Sequence, residues 1–170
     1  FTTPFCAEAL GLPPEDERRR FVVIRNPLTE DQSVMRTTLT YGLLETLKKN
    51  INNASWNLKL FEIGRTFLRR GDGELPEERN ILAALAAGKA SDDLWGLKAG
   101  VDFYDLKGCL ENIFQDLKFD SMRFRAEKPQ SYLHPGQSCG VYADDVRIGS
   151  MGKAHPDVLK KMDIKSDAYV

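Results

Sequence analysis

The side chains best suited to binding chemistry are four cations in one short stretch of the chain, Lys59, Arg65, Arg69 and Arg70. Guanidinium groups bind phosphate through paired hydrogen bonds, so this stretch could hold a nucleotide or an RNA backbone. The same charges also protect an exposed edge strand from pairing with another strand. We favour edge protection, and phosphate binding stays open as the alternative.

The sequence offers little for covalent or metal chemistry. His134 and His155 each precede a proline, which favours extended or turn backbone, and neither belongs to a Cys/His spacing typical of zinc. We therefore interpret both as structural and predict no metal site. Ser138 has no local sign of an activating base, and the chain has no Gly-rich phosphate loop. No catalytic residue is predicted.

A group of carboxylates lies on or beside one predicted helix, at Asp102, Asp105, Glu111 and Asp116. We interpret them mostly as a solvated helix face. Asp102 and Asp105 come at the start of the helix, where negative charge is favourable by a few tenths to about 1 kcal/mol. Capping of the helix therefore explains these two without a catalytic role.

Composition narrows the class of protein. The chain has 170 residues and is 42% hydrophobic, which fits one globular domain spanning residues 1–170. Its net charge of −1 gives no bulk attraction to nucleic acid or to an anionic membrane. No apolar run approaches the roughly 18 residues that span a bilayer. Three scattered cysteines fit reduced thiols, so we expect a cytoplasmic protein, and Phe1 in place of Met suggests a fragment of a longer chain.

Hydrophobic spacing in the first half predicts strands around one helix. The β-branched run 21–24 predicts a strand, and apolar spacings of three and four predict a helix from Ser33 to Asn50. Strict alternation predicts a long strand over 58–68, with Leu58 and Leu60 on one face and Phe61 and Ile63 on the other. Residues 80–87 fit a buried strand or a short helix, and we favour the strand.

The second half predicts a helix followed by a hairpin. Residues 103–117 carry one apolar stripe typical of a helix packed on a sheet, made of Phe103, Leu106, Cys109, Leu110, Ile113, Phe114 and Leu117. Residues 121–126 predict a strand. Residues 138–143 and 146–151 predict a hairpin around Asp144-Asp145, and 156–162 a short helix.

Several blocks, in a fixed order along nearly the whole chain, resemble one known family. The first is Asn-Pro-Leu-Thr-Glu-Asp-Gln-Ser-Val-Met-Arg-Thr-Thr-Leu at 26–39, followed by Gly-Leu-Leu at 42–44 and Leu-Phe-Glu-Ile-Gly-Arg-Thr-Phe at 60–67. Later blocks are Asp-Phe-Tyr-Asp-Leu-Lys-Gly at 102–108, Leu-His-Pro-Gly at 133–136, Ile-Gly at 148–149 and His-Pro at 155–156. Together they resemble the core module of the β subunit of bacterial phenylalanyl-tRNA synthetases. The resemblance implies an α+β fold of the class II synthetase type, a mixed, mainly antiparallel sheet flanked by helices.

The resemblance also implies that this module is catalytically inactive. Active class II enzymes end the corresponding strand with a pattern like Phe-Arg-x-Glu, whose arginine holds the α-phosphate of ATP. Here the arginine position is Leu68 and the glutamate position is Arg70. The Gly-rich signature that completes such sites is also absent. Losing one preorganised contact of this kind costs about 2.7 to 4 kcal/mol, so losing the set abolishes adenylate formation.

By the same resemblance, the module scaffolds an α subunit that carries the active site. The implied assembly is (αβ)2, which joins phenylalanine to tRNA(Phe) with ATP and magnesium, while this chain holds no cofactor. We expect ligase activity from the complex and none from this chain alone. The expected α-subunit interface is Met35, Tyr41, Gly42 and Leu44, and a possible tRNA contact is Arg69 with Arg70.

Two other functions remain open. One is an active ATP-dependent ligase of the biotin and lipoate ligase type, against which Leu68 and Arg70 argue. The other is an RNA-binding module that acts through Arg69 and Arg70, which the near-zero net charge disfavours. We expect no membrane and no DNA partner.

Overall fold

A six-stranded sheet organises the chain in a computed structural model that describes residues 1–90, 100–119 and 121–170. The strands are β1 (Leu58–Leu68), β2 (Glu77–Ala87), β3 (Met122–Arg125), β4 (Leu133–Ala143), β5 (Val146–Ala154) and β6 (Ala168–Tyr169). Their order across the sheet is β1-β2-β6-β5-β4-β3, and each of these pairs is antiparallel. The expected α+β fold with an antiparallel sheet and flanking helices is confirmed.

Helices cover both faces of the middle of this sheet. They are α1 (Phe5–Ala9), α2 (Thr40–Asn52), α3 (Phe103–Asp116) and α4 (Pro156–Lys161), with short 3-10 turns at Glu17–Arg19 and Glu30–Gln32. One core cluster joins α1, α2 and α4 to strand residues such as Leu85 and Ala168. A second joins α3 to Met151, Val141 and Tyr169. One face of the sheet is therefore buried by α1, α2 and α4, and the other by α3.

The long strand β1 alternates as its sequence predicts. Leu58 and Leu60 pack against the first core cluster, whereas Phe61 and Ile63 are 73% and 72% exposed. β1 pairs with β2 along its whole length, from Leu58 opposite Ala87 to Leu68 opposite Glu77. The strand assignment for 80–87 is confirmed, and the strand begins earlier, at Glu77.

Two predictions near the N-terminus are wrong in extent. The run 21–24 forms an isolated bridge from Val23 to Val34 rather than a strand. The helix expected from Ser33 begins at Thr40, because Val34 is held extended by pairing with Thr2 as well as Val23. Helical spacing of apolar residues cannot show that the backbone of 33–35 is already engaged in β-type hydrogen bonds.

Helix α3 has the predicted position and a different burial. An Asp102–Asp105 capping box fixes its first turn, with the Asp102 carboxylate accepting from the Tyr104 and Asp105 amides. The expected stripe is only partly buried: Phe103, Leu106 and Leu110 pack against the second cluster, Phe114 is half-buried, and Cys109, Ile113 and Leu117 are exposed. The Lys107 ammonium lies over the Phe124 ring, 4.8 Å from its centroid.

The predicted hairpin is confirmed with longer strands. Ala143 pairs with Val146 across a two-residue turn, where Asp144 has a positive φ of 52°. The Asp144 amide donates to the Ser121 carbonyl at 2.9 Å, so the turn is tied to the start of β3. Asp tolerates this left-handed conformation better than most residues, which explains a tight turn without glycine.

Candidate functional site

Both cations that directly follow β1, at the positions where the resemblance expects ATP contacts in an active enzyme, have a carboxylate partner. Leu68 is buried on the inner face of the strand. Arg70 follows the strand and forms an ion pair with Glu77 at 3.4 Å. Arg69 pairs with Asp72. Leu68 therefore offers no charge to a phosphate, and the Arg69 and Arg70 guanidinium groups form exposed surface ion pairs.

The four predicted cations do not form one cluster. Lys59 and Arg69 lie ten positions apart on an extended chain, which separates them by about 33 Å. Lys59 donates to the Ala90 carbonyl at 2.6 Å, and Arg65 pairs with Glu78 at 2.9 Å. Because β1 is an edge strand and its cations have local partners, the geometry favours edge protection.

Sequence reasoning missed the cation that lies closest over β1, Arg36. Its Nε donates to the Arg65 carbonyl at 2.8 Å and its Nη1 pairs with the Glu62 carboxylate. The Arg36 carbonyl accepts from the Phe67 amide at 2.9 Å, so this residue also covers part of the free edge. The only signal in the sequence was Gly64, since glycine within a strand often marks a close approach.

The same glycine explains how the guanidinium fits. A Cβ at position 64 would clash with Arg36 Nη2 and lie 3.1 Å from its Cζ. Arg36 and Glu62 side chains are each about a third exposed, at 30% and 36%. The pair therefore places two opposite charges together on the inner face of β1.

The predicted α-subunit interface divides between buried and accessible residues. Tyr41 and Leu44 are buried in the chain's own core, where α1 and the sheet both pack on α2. Burial, followed by the Glu45 charge, raises the pKa of Tyr41 above its usual range. Gly42 is exposed with open space around its Cβ direction, and Met35 is half-buried. Tyr41 and Leu44 thus explain the wide apolar face of α2 by internal packing.

His134 and His155 lie close together, and each accepts a hydrogen bond from a nearby main-chain amide. Their ring centroids are 6.4 Å apart. His155 Nδ1 accepts from the Asp157 amide at 3.2 Å and caps α4, and His134 Nδ1 accepts from the Gly136 amide at 3.0 Å. A metal at Nε2 would require a proton on Nδ1, which these bonds oppose. Across the described residues, no group of three His, Cys, Asp or Glu side chains could hold a metal.

A second unpredicted cluster surrounds Glu127. Its carboxylate accepts from the Tyr142 hydroxyl at 2.5 Å and from Arg147 Nε at 2.7 Å. The Tyr142 hydrogen bond, followed by that of Arg147, holds the pKa of Glu127 below its usual value. Glu127 lies against Gly140, where a side chain would clash with it. The cluster fixes the segment after β3 onto the β4–β5 hairpin.

The Cys6 and Cys139 thiols are not activated. Burial raises the pKa of Cys6 and of Cys139, which disfavours the reactive thiolate.

Within the described ranges, no helix has the length and apolar character needed to cross a bilayer.

Comparisons with known proteins identify the family. Residues 1–170 match the family model described as the phenylalanyl tRNA synthetase beta chain CLM domain. The chain is 47% identical over 171 aligned residues to the phenylalanine–tRNA ligase beta subunit of Syntrophus aciditrophicus, covering 100% of this chain and 21% of that one. It is 38% identical to the beta subunit of Geobacter sulfurreducens over 170 residues, 99% of this chain and 21% of that subunit.

The fold also matches a solved synthetase. PylSc, a pyrrolysyl tRNA synthetase from Desulfitobacterium hafniense, superposes with a TM-score of 0.67 at 15% identity, covering 96% of this chain and 53% of that one. At this identity the match concerns the fold alone. The chain spans about a fifth of the length of the curated relatives it matches.

Proposed function

The chain belongs to the phenylalanyl-tRNA synthetase beta chain CLM domain family, and on that premise we propose that it is an inactive scaffold within the ligase. In this proposal it supports an α subunit that carries the active site, in an (αβ)2 heterotetramer. The complex binds ATP and magnesium in the α subunit, attaches phenylalanine to tRNA(Phe) for protein biosynthesis, and works in the cytoplasm. The β module itself holds no cofactor.

The observation that carries the proposal is the charge balance at the end of β1. Leu68 is buried and uncharged at the position of the phosphate-binding arginine, and Arg70, at the glutamate position, is paired with Glu77. Adenylate formation depends on donors aimed where negative charge develops in the transition state. The Arg36–Glu62 pair also neutralises the inner face of the strand.

The cleft beside this position is equally unsuited to a nucleotide. A cavity of about 440 Å³ is lined by Phe21, Arg69, Asp72, Glu74 and Pro76, among others. Arg69 is paired with Asp72, and Glu74 adds a second carboxylate to the lining. Triphosphate binding would bring more negative charge to a wall that already carries carboxylates. This geometry disfavours the alternative of an active biotin or lipoate-type ligase.

The accessible part of α2 supports a contact with the α subunit. Gly42 is exposed on α2 and has no side chain to keep a partner away. Met35, before the helix, adds a half-buried apolar side chain. Small residues allow two helices to approach closely. We therefore place the proposed interface at Gly42 and Met35, with Tyr41 and Leu44 acting beneath it to hold α2 in place.

Phenylalanine-dependent pyrophosphate exchange tests the scaffold proposal. We expect exchange from the αβ complex, none from the β chain alone, and no change in kcat when the complex carries Arg70→Ala. If Arg70 held ATP, kcat would fall by about 10² to 10³. Arg65→Ala, which breaks a comparable surface pair with Glu78, is the matched control. Exchange by the purified β chain would refute the proposal.

A further inference from the structure

The loop between β1 and β2 contains the one place in the chain where an aspartate precedes a glycine, Asp72-Gly73. No asparagine in the sequence precedes a glycine. The order of the two residues matters because the main-chain nitrogen of the second residue can attack the side-chain carboxyl group of the first. Glycine hinders this attack least, since it has no Cβ. Loop 69–76 therefore holds the two residue types that such a rearrangement needs.

The Asp72 carboxyl group is accessible and weakly held. Its side chain is 91% exposed, and its partner among the described residues is the Arg69 guanidinium, which is 54% exposed. Ion pairs as exposed as this one contribute little free energy, so they do not immobilise a side chain. Asp72 and Gly73 both line the cavity of about 440 Å³ beside the end of β1, so water reaches them.

The Gly73 amide is accessible as well. Within the described ranges, no group accepts a hydrogen bond from its N–H. Gly73 has a positive φ of 80°, a conformation that glycine adopts without strain. A Cβ built at this position would meet nothing within 4 Å. The space around the two residues therefore leaves room for a five-membered ring to form.

We propose that Asp72 converts spontaneously to isoaspartate in the folded protein. The Gly73 nitrogen bonds to Cγ of Asp72, and one Cγ–O bond breaks. The departing oxygen takes the amide proton and the carboxylic acid proton and leaves as water, which gives a cyclic succinimide. Water then adds to the main-chain carbonyl carbon of Asp72 and breaks its bond to nitrogen. The main chain now runs through Cγ, and the step needs no oxidant, cofactor or enzyme.

The position of the loop lets the folded chain keep this product. The rearrangement adds one methylene group to the main chain and leaves one free carboxylate, so the net charge does not change. Leu68 is buried and pairs with Glu77, which fixes both ends of the loop on the sheet. Lengthening a flexible loop slightly costs little free energy. The two strands therefore stay in register while the loop changes.

A second exposed aspartate provides an internal comparison. Asp145 is 83% exposed and pairs with Arg125 at 2.6 Å, so it matches Asp72 in exposure and in having an arginine partner. The next residue is Val146, which pairs with Ala143 at the start of β5. A β-branched side chain is stiff and crowds its own main-chain nitrogen. Asp145 therefore stays unchanged under conditions that convert Asp72.

Ageing of the unmodified full-length protein tests the proposal. The protein is kept at neutral pH and body temperature for several weeks and then digested with trypsin. Cleavage after Arg70 and Arg79 releases the peptide 71–79, in which Asp72 is the single aspartate. Electron-transfer dissociation distinguishes isoaspartate from aspartate by the fragments of the main chain. Isoaspartate accumulates at Asp72 at least about tenfold faster than at Asp145, because glycine leaves the attacking nitrogen open.

Two variants separate the ring chemistry from exposure alone. Asp72→Glu keeps the charge but would need a six-membered ring, so its aged peptide stays unmodified. Gly73→Val keeps Asp72 and crowds the attacking nitrogen, so conversion slows toward the rate at Asp145. Absence of isoaspartate at Asp72 in the aged native protein overturns the proposal, and so does equal conversion at Asp72 and Asp145. An unchanged rate in Gly73→Val overturns the assignment of the Gly73 nitrogen as the attacking group.

Discussion

The guanidinium of Arg36 lies in the space that a side chain at position 64 would need, and Gly64 leaves that space open. Two side-chain interactions depend on this arrangement, the Arg36–Glu62 ion pair and the hydrogen bond to the Arg65 carbonyl, and beside them the Phe67 amide donates to the Arg36 main-chain carbonyl. A single glycine in β1 thus lets the segment before α2 attach to the edge of the sheet.

The stability changes of three glycine-to-alanine variants should therefore rank by which atoms the new methyl group contacts. Gly42→Ala enters open space on an exposed helix and should stabilise by up to about 1 kcal/mol. Gly64→Ala displaces the flexible end of Arg36 and should cost about 0.5 to 1.5 kcal/mol, the value of one hydrogen bond. Gly152→Ala meets the Gln137 carbonyl at 2.5 Å and should cost about 1 to 3 kcal/mol.

Hydrogen exchange at the Phe67 amide measures the effect at Gly64. This amide donates to Arg36, so Gly64→Ala should raise its exchange rate several-fold, whereas Gly42→Ala should leave it unchanged. An unchanged rate in Gly64→Ala would show that Arg36 is not anchored by this contact.

Substitutions on α2 should separate folding from docking. Leu44 is fully buried, so Leu44→Ala should cost about 2 to 5 kcal/mol and reduce recovery of α by lowering the amount of folded β. Gly42→Glu alters an exposed position and should weaken α binding while the circular dichroism of β stays unchanged. Thr46→Glu, one turn further along the exposed face, is the matched control for distance. Full α recovery by Gly42→Glu would place the interface elsewhere.

The Glu127 cluster should make the β3–β4 connection sensitive to acid. The pKa of Glu127 is lowered in the folded state, so its contribution to stability is present above the unfolded value of about 4.3 and is lost as pH falls through the folded pKa. Glu127→Gln should reduce this acid dependence. Acid unfolding is measured by tyrosine fluorescence. Glu111→Gln removes an exposed carboxylate in α3 and should leave the acid dependence of stability unchanged. Identical acid transitions for both variants would contradict this role.

Arg69 and Arg70 remain a predicted tRNA contact. If they reach the backbone in the complex, replacing both with alanine should weaken tRNA(Phe) binding and lower the salt slope by up to about 2, because fewer counterions are released. Arg79→Ala, in the paired strand and bonded to Glu17 and Glu77, is the control for a lost surface cation. An unchanged affinity and slope would assign the two arginines to edge protection.

Local patterns were sufficient for most elements of the fold. The alternation over Leu58–Leu68, the capping residues of α3 and the Asp144-Asp145 turn each encode their structure within a few neighbouring residues. The proposed loss of catalytic groups rests on Leu68, which stands where the resembled active enzymes have a phosphate-binding arginine, and on Arg70, which stands where they have a glutamate. These features depend on residue type and spacing, which the sequence states directly.

Only the tertiary structure decided which partners those residues meet. Val34 pairs with Thr2 and Val23, so helix α2 starts later than its apolar spacing predicts. Arg36 reaches Glu62 across 26 positions, and Glu127 reaches Tyr142 and Arg147 from a loop. Tyr41 and Leu44 face a core built by α1 and the sheet, which removes them from the surface where an interface could use them. Such contacts join distant segments, and their energies depend on burial and geometry that no local spacing of residue types encodes.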